Sequence, residues 1–569
     1  MTAESGSGRG LPWRTIGSVV ALAAAAVGMF LATPDKTEDP NQPLRPQVAN
    51  SNDQLKAEKE LARILLGMEP GTLDVNRDRL QATDDLNIWL KDFPLPEKEP
   101  ALTDDAALRE KLLSGLGLET VNADRAVPAD VAHIRMSLLA RETVEYMTRK
   151  HPRDLDRMAA LFEFVVRHVS GELEQQPITA FEAFLFGKGT VSDRVWCFAE
   201  LMRQMHFDTV LVLPKSDDPQ KSQFFLIGVI SDDQQVYLFE PRFGVPVFDP
   251  EVAKDSAYPE LPVTLAQARE NPEILKQFDL PNLPYTLSAE DLKQVRVLLV
   301  GSPSQWAPRM ARVEVRLPVE TRANLYSGLG ENRLRSPGAY QRVVEAGEKH
   351  QLWTEENVRI WTFPFKQEQA LAAAFNDPNS YYQQMLRISS GPLILARDPE
   401  TGQETMRPAR STIHEVRVEQ LTGRSAVALG NLFPIRTAAQ SLRIQENLIA
   451  EDIGAFLAGQ CQLESGQYEA AQDTLSAYLT KRQSGMWGQE AIDELAHCLR
   501  IQGKLPEAFG VLNQSTNMTV RRGWLILRWA RLLQDQGVLK LNPEPTAGQP
   551  AASAGESRPP VPPLPERIE

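Results

Sequence analysis

The stretch at residues 193–214, DRVWCFAELMRQMHFDTVLVLP, decides how the middle of this chain folds. Its first half places apolar residues at helical spacing, and its second half is a run of leucine and β-branched residues typical of a buried strand. Ser192 or Asp193 can cap the helix, which would put Cys197 in its first turn. The pattern therefore predicts a helix with a cysteine near its N-terminus, followed by a strand at 209–213.

Neighbouring segments extend this pattern in both directions. Residues 155–169 keep apolar side chains at i, i+3, i+4 and i+7, which predicts an amphipathic helix with Asp154 as its cap. Downstream, residues 224–230 and 235–239 have the composition of strands, and the polar residues 231–234 predict a turn between them. The order of helix, helix, strand and hairpin predicts an α+β fold with an antiparallel sheet.

The last of these strands runs into LFEPRFGVP at residues 238–246. With the cysteine on the preceding helix, this order resembles the transglutaminase-like domain of the papain-type cysteine superfamily, over residues 155–255. The resemblance implies a nucleophilic cysteine on a helix, a histidine on the next strand, and an acidic residue just before a proline at the end of the following strand. On this chain those positions are Cys197 for the nucleophile and Glu240, ahead of Pro241, where the family usually has aspartate.

The histidine of that pattern is missing. Its position falls near Gln223, Phe224 and Phe225. A cysteine nucleophile needs a base within about 3–3.5 Å, so we interpret Cys197 as a small buried residue in an inactive domain. The alternative is an active thiol acyltransferase or peptidase that uses Cys197 as nucleophile and Glu240 as the group that orients an unidentified base.

Other histidines are poorly placed to supply that base. His206 would lie on the same helix as Cys197 and point away from it. His133 and His168 precede the predicted core and would have to fold over it. Asp193, four residues before Cys197, would raise the thiol pKa if the two side chains are close.

A second pattern marks the C-terminal part of the chain. A glycine-led motif occurs twice, 37 residues apart, as Gly466-x-Tyr468-x-x-Ala471 and Gly503-x-Leu505-x-x-Ala508. Gly459 and Ala496 each precede these glycines by seven residues. The pattern resembles tetratricopeptide repeats at 446–540, with a degenerate third unit at Gly537. Cys461 and Cys498 fall at equivalent inward positions and are interpreted as core residues.

The repeat resemblance implies stacked helix pairs that present a concave face to a peptide or a partner protein. Fewer than three good units do not stand alone, so we expect the repeats to pack on the middle region at 256–445. That region mixes predicted helices at 264–278 and 364–375 with a strand at 295–300, and it resembles no family.

The N-terminus predicts a membrane segment. Residues 16–32 are uncharged and apolar, Arg9 and Arg14 precede them, and Asp35 follows. This charge distribution favours an uncleaved signal anchor at 1–33, with a cleaved signal peptide as the alternative and the bulk of the chain outside the cytoplasm. We expect a proline-rich linker at 34–50, a helical region at 51–154, and a disordered proline-rich tail at 541–569.

Composition limits the possible functions. The 569 residues carry 75 acidic and 61 basic side chains, so the formal net charge of -14 disfavours nucleic-acid binding. Three cysteines and seven histidines are too few and too scattered for a disulfide framework or a zinc cluster, and we expect no metal and no cofactor. The sequence therefore predicts a membrane-anchored extracytoplasmic scaffold that binds proteins or peptides.

Overall fold

The structure is a computed structural model that describes residues 51–71, 78–94, 105–281, 283–397, 402–482, 485–515 and 517–539. The predicted signal anchor at 1–33, the linker at 34–50 and the tail at 541–569 lie outside these residues. Within the described ranges, no helix has both the length and the apolar character needed to cross a membrane.

The first part of the described chain is helical and leads into a sheet. Its helices are α1 (Ser51–Leu66), α2 (Arg79–Asp92), α3 (Ala106–Leu113), α4 (Leu118–Asn122), α5 (Pro128–Thr148), α6 (Asp154–His168), α7 (Ala180–Phe186) and α8 (Val191–Gln204). The sheet begins with β1 (Asp208–Pro214), short helix α9 (Pro219–Ser222), β2 (Leu226–Ile230), β3 (Val236–Glu240) and β4 (Val245–Pro246). The predicted helix, strand and hairpin are thus present in the predicted order.

The middle region continues the same sheet. Its elements are α10 (Leu265–Glu270), α11 (Glu273–Lys276), β5 (Val295–Leu299), α12 (Pro308–Glu314), α13 (Ala339–Lys349), β6 (Val358–Ile360), α14 (Phe363–Ala374) and α15 (Tyr381–Ser389). The strands are ordered β4-β3-β2-β1-β5-β6, antiparallel except for the parallel β5–β6 pair. The boundary expected at residue 255 therefore passes through one sheet, because β5 pairs with β1.

Both faces of this sheet are covered. In β1, Val210 and Val212 contribute to one apolar cluster, and Leu211 and Leu213 contribute to another. The second cluster includes Cys197 and other residues of α6, α7 and α8, and the first includes residues of the middle region. Burial on both faces explains why the strands read as continuous apolar runs instead of alternating with polar residues.

Several predicted element ends differ from the observed ones. Helix α8 starts at Val191 with Thr190 as its cap, so the predicted cap at Ser192 or Asp193 was wrong. The helix expected at 264–278 is interrupted between α10 and α11, where Asn271 adopts an extended conformation ahead of Pro272. A proline disfavours helical geometry in the residue before it, which accounts for this break.

The C-terminal part is a hairpin followed by stacked helices. These elements are β7 (Leu393–Arg397), β8 (Glu404–Pro408), α16 (Ile413–Leu421), α17 (Ser425–Ser441), α18 (Gln445–Glu464), α19 (Tyr468–Arg482), α20 (Gly488–Ile501), α21 (Leu505–Asn513) and α22 (Val520–Asp535). Gly466 and Gly503 follow α18 and α20 with φ of +75°, a left-handed conformation that glycine adopts without strain. Cys461 and Cys498 are buried free thiols.

The small residue at Gly459 allows α18 and α19 to approach closely. A Cβ added at Gly459 would lie 2.7 Å from the Leu475 side chain, whereas a Cβ at Gly510 in α21 would meet nothing within 4 Å. We predict that Gly510→Ala raises the free energy of unfolding by about 0.5–1 kcal/mol through helix propensity. Gly459→Ala should lower the free energy of unfolding, because overpacking against Leu475 costs about 1–3 kcal/mol, more than the gain in helix propensity.

Urea denaturation of the two variants beside the unsubstituted chain measures this difference. A stabilised Gly459→Ala protein would show that the helix pair has room at this contact.

Candidate functional site

The N-terminus of α8 is capped by side chains of its own first residues. The Thr190 hydroxyl accepts a hydrogen bond from the Asp193 backbone N–H at 3.2 Å, and the Asp193 carboxylate accepts one from the Thr190 N–H at 2.8 Å. Burial raises the Asp193 pKa to about 6. This capping box places a carboxylate, and not the thiol, in the position that the helix dipole favours for an anion.

Cys197 is therefore deeper in the helix than the sequence predicts. It is the seventh residue of α8, in the second turn, so the expectation of a first-turn cysteine was wrong. The reason is that the helix is capped by Thr190 and begins at Val191, ahead of both predicted caps. The side chain is fully buried, and its Sγ–H donates to the Ala180 carbonyl at 3.3 Å.

The surroundings of Cys197 disfavour a thiolate. Burial raises its pKa well above the usual value, and the nearby carboxylates of Asp193 and Glu200 raise it further. Arg194 acts in the opposite direction, but more weakly. Since the thiolate is the nucleophilic form of cysteine, these three effects of burial and charge hold Cys197 in its unreactive form.

Glu240 lies at the end of β3 and serves the turn that follows. Its carboxylate accepts a hydrogen bond from the Phe243 N–H at 2.5 Å and lies 3.4 Å from Nη1 of Arg242. It is fully buried, and burial raises its pKa. The turn approaches the start of α8 through Arg194, whose Nη1 donates to the Pro241 carbonyl at 3.2 Å.

The three residues at the expected histidine position lie before β2. Gln223 follows α9, and β2 begins at Leu226, so Gln223 and the two phenylalanines are outside the strand expected to start at 224. The Arg242 guanidinium stacks 3.7 Å from the centre of the Phe224 ring and donates to the Phe225 carbonyl. Glu240, Phe224 and Phe225 are therefore brought together by Arg242.

Arg242 is the residue that the sequence analysis missed. It stands two positions after Glu240 in the quoted LFEPRFGVP motif, and a charged residue within an apolar turn was the available signal. The hydrogen bonds of Cys197 and Glu240 go to different groups, so the structure does not assemble them into one hydrogen-bonded catalytic set.

Histidines occupy other polar networks. His133 bridges the Ser302 hydroxyl at 2.9 Å and the Leu325 carbonyl at 2.8 Å, and burial lowers its pKa to about 4. His168 accepts from Arg417, lies 2.8 Å from Glu464, and has a pKa that burial lowers to about 4. In the described part of the chain, the thiol of Cys197 has a hydrogen bond only with a backbone carbonyl.

His206 lies beyond the end of α8. The helix ends at Gln204, and His206 has φ of +66°, so the expectation that it shares a helix with Cys197 was wrong. Over the described ranges, no group of three or more histidine, cysteine, aspartate or glutamate side chains is arranged to hold a metal ion.

The repeat helices pack on the sheet domain with buried charges. Arg167 at the end of α6 forms a two-pronged ion pair with Glu494 of α20, with distances of 2.7 and 3.1 Å. His168 and Glu464 make the equivalent contact to α18. Helices α18 and α20 thus direct polar side chains at the chain's own core.

Helix α22 extends this contact to the loops after β4. The indole N–H groups of Trp524 and Trp529 donate to the carbonyls of Gln277 and Ala257, at 3.1 and 2.8 Å. Arg528 donates to the Ser256 carbonyl at 2.9 Å. Helices α18, α20 and α22 therefore all contact other parts of the same chain.

Comparison of the chain with protein-family models, with curated proteins and with solved structures finds no match.

Substitution of Arg167 tests how strongly the C-terminal helices are bound to the sheet domain. Its side chain is 12% exposed and that of Glu494 is 3% exposed, so Arg167→Met leaves a buried carboxylate without its partner. We predict a loss of about 3–5 kcal/mol in the free energy of unfolding. The double variant Arg167→Met/Glu494→Leu should recover most of this loss, because no uncompensated charge remains.

Arg149→Met is the matched control in urea denaturation. Its ion pair with Glu145 is exposed and should change stability by less than about 0.5 kcal/mol. Equal stabilities of the single and double variants would contradict the prediction.

Proposed function

We propose that this chain is a membrane-tethered extracytoplasmic scaffold, in which an inactive transglutaminase-like domain and a tetratricopeptide-like region form one platform for binding another protein. The tether is the apolar segment at 16–32, and the charge distribution around it places the platform outside the cytoplasm.

The observation that carries this proposal is the environment of Cys197. The thiol is fully buried, it donates to a backbone carbonyl, and burial raises its pKa. Phe224 and Phe225 stand where the resemblance places a catalytic histidine. Acyl transfer at this sulfur would require a deprotonated thiol, a base and access for the substrate. The surroundings of Cys197 oppose all three.

The order of secondary structure supports the family resemblance. A cysteine-bearing helix packs on an antiparallel sheet whose next strands are β1, β2 and β3, and the left-handed glycines after α18 and α20 support the repeat resemblance. The internal contacts of α18, α20 and α22 imply that the repeats stiffen the platform and that the partner binds elsewhere.

The hairpin β7–β8 is the surface that we propose for that partner. Leu395 and Met406 face each other across the two strands and are 56% and 60% exposed. All five residues of β8 are exposed, and Asn447 fixes the hairpin base through hydrogen bonds to Leu393 at 2.7 and 2.9 Å. Isolated two-stranded sheets are marginally stable, so a partner that covers Leu395 and Met406 would also stabilise the hairpin.

Thiol alkylation of the full chain tests the inactive assignment. All three cysteines are buried, so we predict no labelling by iodoacetamide of the native protein from pH 6 to 9, and three labels in urea, read by mass spectrometry. An Asp217→Cys variant supplies an exposed cysteine as control and should be labelled readily. Native labelling below pH 8 that Cys197→Ala abolishes would contradict an inert thiol.

Site-specific photocrosslinking tests the binding surface. A photoreactive amino acid at Leu395 or Met406, in protein expressed in its own host cells, should give the same crosslinked partner. Thr405 is the control position, because it is exposed but lies on the opposite face of β8. Equal crosslinking from Thr405, or none from any position, would contradict the proposed surface.

A further inference from the structure

A small polar cavity lies where α8 ends and β1 begins. Its lining includes Arg203, His206, Asp208, Thr209, Arg335 and Arg342. Three of these side chains are arginines, which is unusual for a space enclosed by a sheet end and its flanking loops. The space admits about one water-sized particle.

Several donors around this cavity have no acceptor. Nε and Nη1 of Arg203, Nη2 of Arg335 and the hydroxyl of Thr209 are buried and lack a hydrogen-bond partner among the described residues. Arg203 is 4% exposed and Thr209 is 3% exposed. A buried donor without an acceptor costs about 1–3 kcal/mol, so four such atoms around one space indicate a bound acceptor.

The charges around the cavity leave Arg335 without an ion pair. Arg342 pairs with Asp208 at 2.7 Å, and Arg203 pairs with Glu200. Glu314 attracts Arg335, but its carboxylate already accepts the N–H groups of Leu325 and Tyr326 at 2.6 and 2.7 Å. Within the described ranges, no carboxylate is within ion-pair distance of Arg335.

A water molecule fits this environment less well than an anion. Water both donates and accepts, whereas the unpaired nitrogens of Arg203 and Arg335 can only donate. The Asp208 carboxylate that lines the cavity is already paired with Arg342, so the charge of Arg335 remains to be neutralised. A halide accepts several hydrogen bonds and donates none, and it also neutralises a buried guanidinium.

We propose that this cavity is a binding site for one small monovalent anion of the chloride class, held by Arg203, Thr209 and Arg335. His206 lies at the exposed rim of the cavity, where partial burial and the charges of Arg335 and Arg342 lower its pKa. A neutral His206 does not compete as a cation. The site selects by size, because an oxyanion such as sulfate exceeds the room available.

The anion would join the sheet domain to the segment before α13. Arg203 and Thr209 belong to the helix and strand of the sheet domain, and Arg335 comes from the segment before α13. Binding therefore stabilises the folded chain by mass action, since the unfolded chain has no such cluster. The site is independent of the proposed function.

Thermal unfolding of the full chain under anion exchange tests the proposal. Sodium chloride replaces sodium gluconate at constant ionic strength and pH 7. Above the dissociation constant, each tenfold increase in chloride should raise Tm on the order of 1–2 °C. Bromide should act as chloride does, and sulfate should act as gluconate does.

Two variants separate this site from general salt effects. Arg335→Gln should abolish the chloride-dependent rise in Tm, and Thr209→Val should weaken it. Arg333→Gln, an exposed arginine of the same segment, should keep the full rise. A Tm that does not depend on halide, or an unchanged halide response in Arg335→Gln, would overturn the proposal.

Anomalous diffraction from crystals of the unsubstituted protein grown in sodium bromide provides a test that does not depend on variants. The expected result is one bromide peak within hydrogen-bond distance of Arg203 and Arg335. Water alone at that position, without anomalous signal, would overturn the proposal.

Discussion

The capping of α8 by Thr190 is the constraint on which the packing of the core depends. The hydrogen bonds between Thr190 and Asp193 fix the first turn, and every residue of the helix from 193 to 203 is buried. Because the carboxylate of Asp193 occupies the helix N-terminus, the next turn carries Cys197 into the apolar cluster between helix and sheet. The sulfur is thus a packing atom whose ionisation is opposed by both burial and neighbouring charge.

The second constraint is the set of buried charges between the sheet domain and the repeats. Arg167 and Glu494 are both largely removed from water. Each therefore needs the other, because loss of one partner leaves the second as an uncompensated buried charge. The contacts of Arg167 and His168 therefore hold α20 and α18 against the end of α6.

Local patterns in the sequence predicted much of the architecture. The apolar spacing of α6, the run of β1, the turn before β3 and the paired repeat glycines all depend on interactions between residues close in sequence. The start of α8 was missed because Thr190, Ser192 and Asp193, three polar residues within four positions, could each cap it. Arg242 was missed because its role requires Glu240, at the end of β3, and Phe225, just before β2, to converge on a single guanidinium.

The sequence by itself determined the α+β class, the order of helix, strand and hairpin, the paired helices at the C-terminus, and the absence of a histidine from the strand after β1. These properties follow from backbone preferences and from residue identity, which act over a few positions. Tertiary structure alone decided that β5 and β6 join the sheet, that Cys197 is sealed, that the C-terminal helices pack on α6, and that Arg335 and Arg203 line one cavity. Contacts between residues distant in the sequence depend on packing, charge and enclosed volume, and no local pattern encodes them.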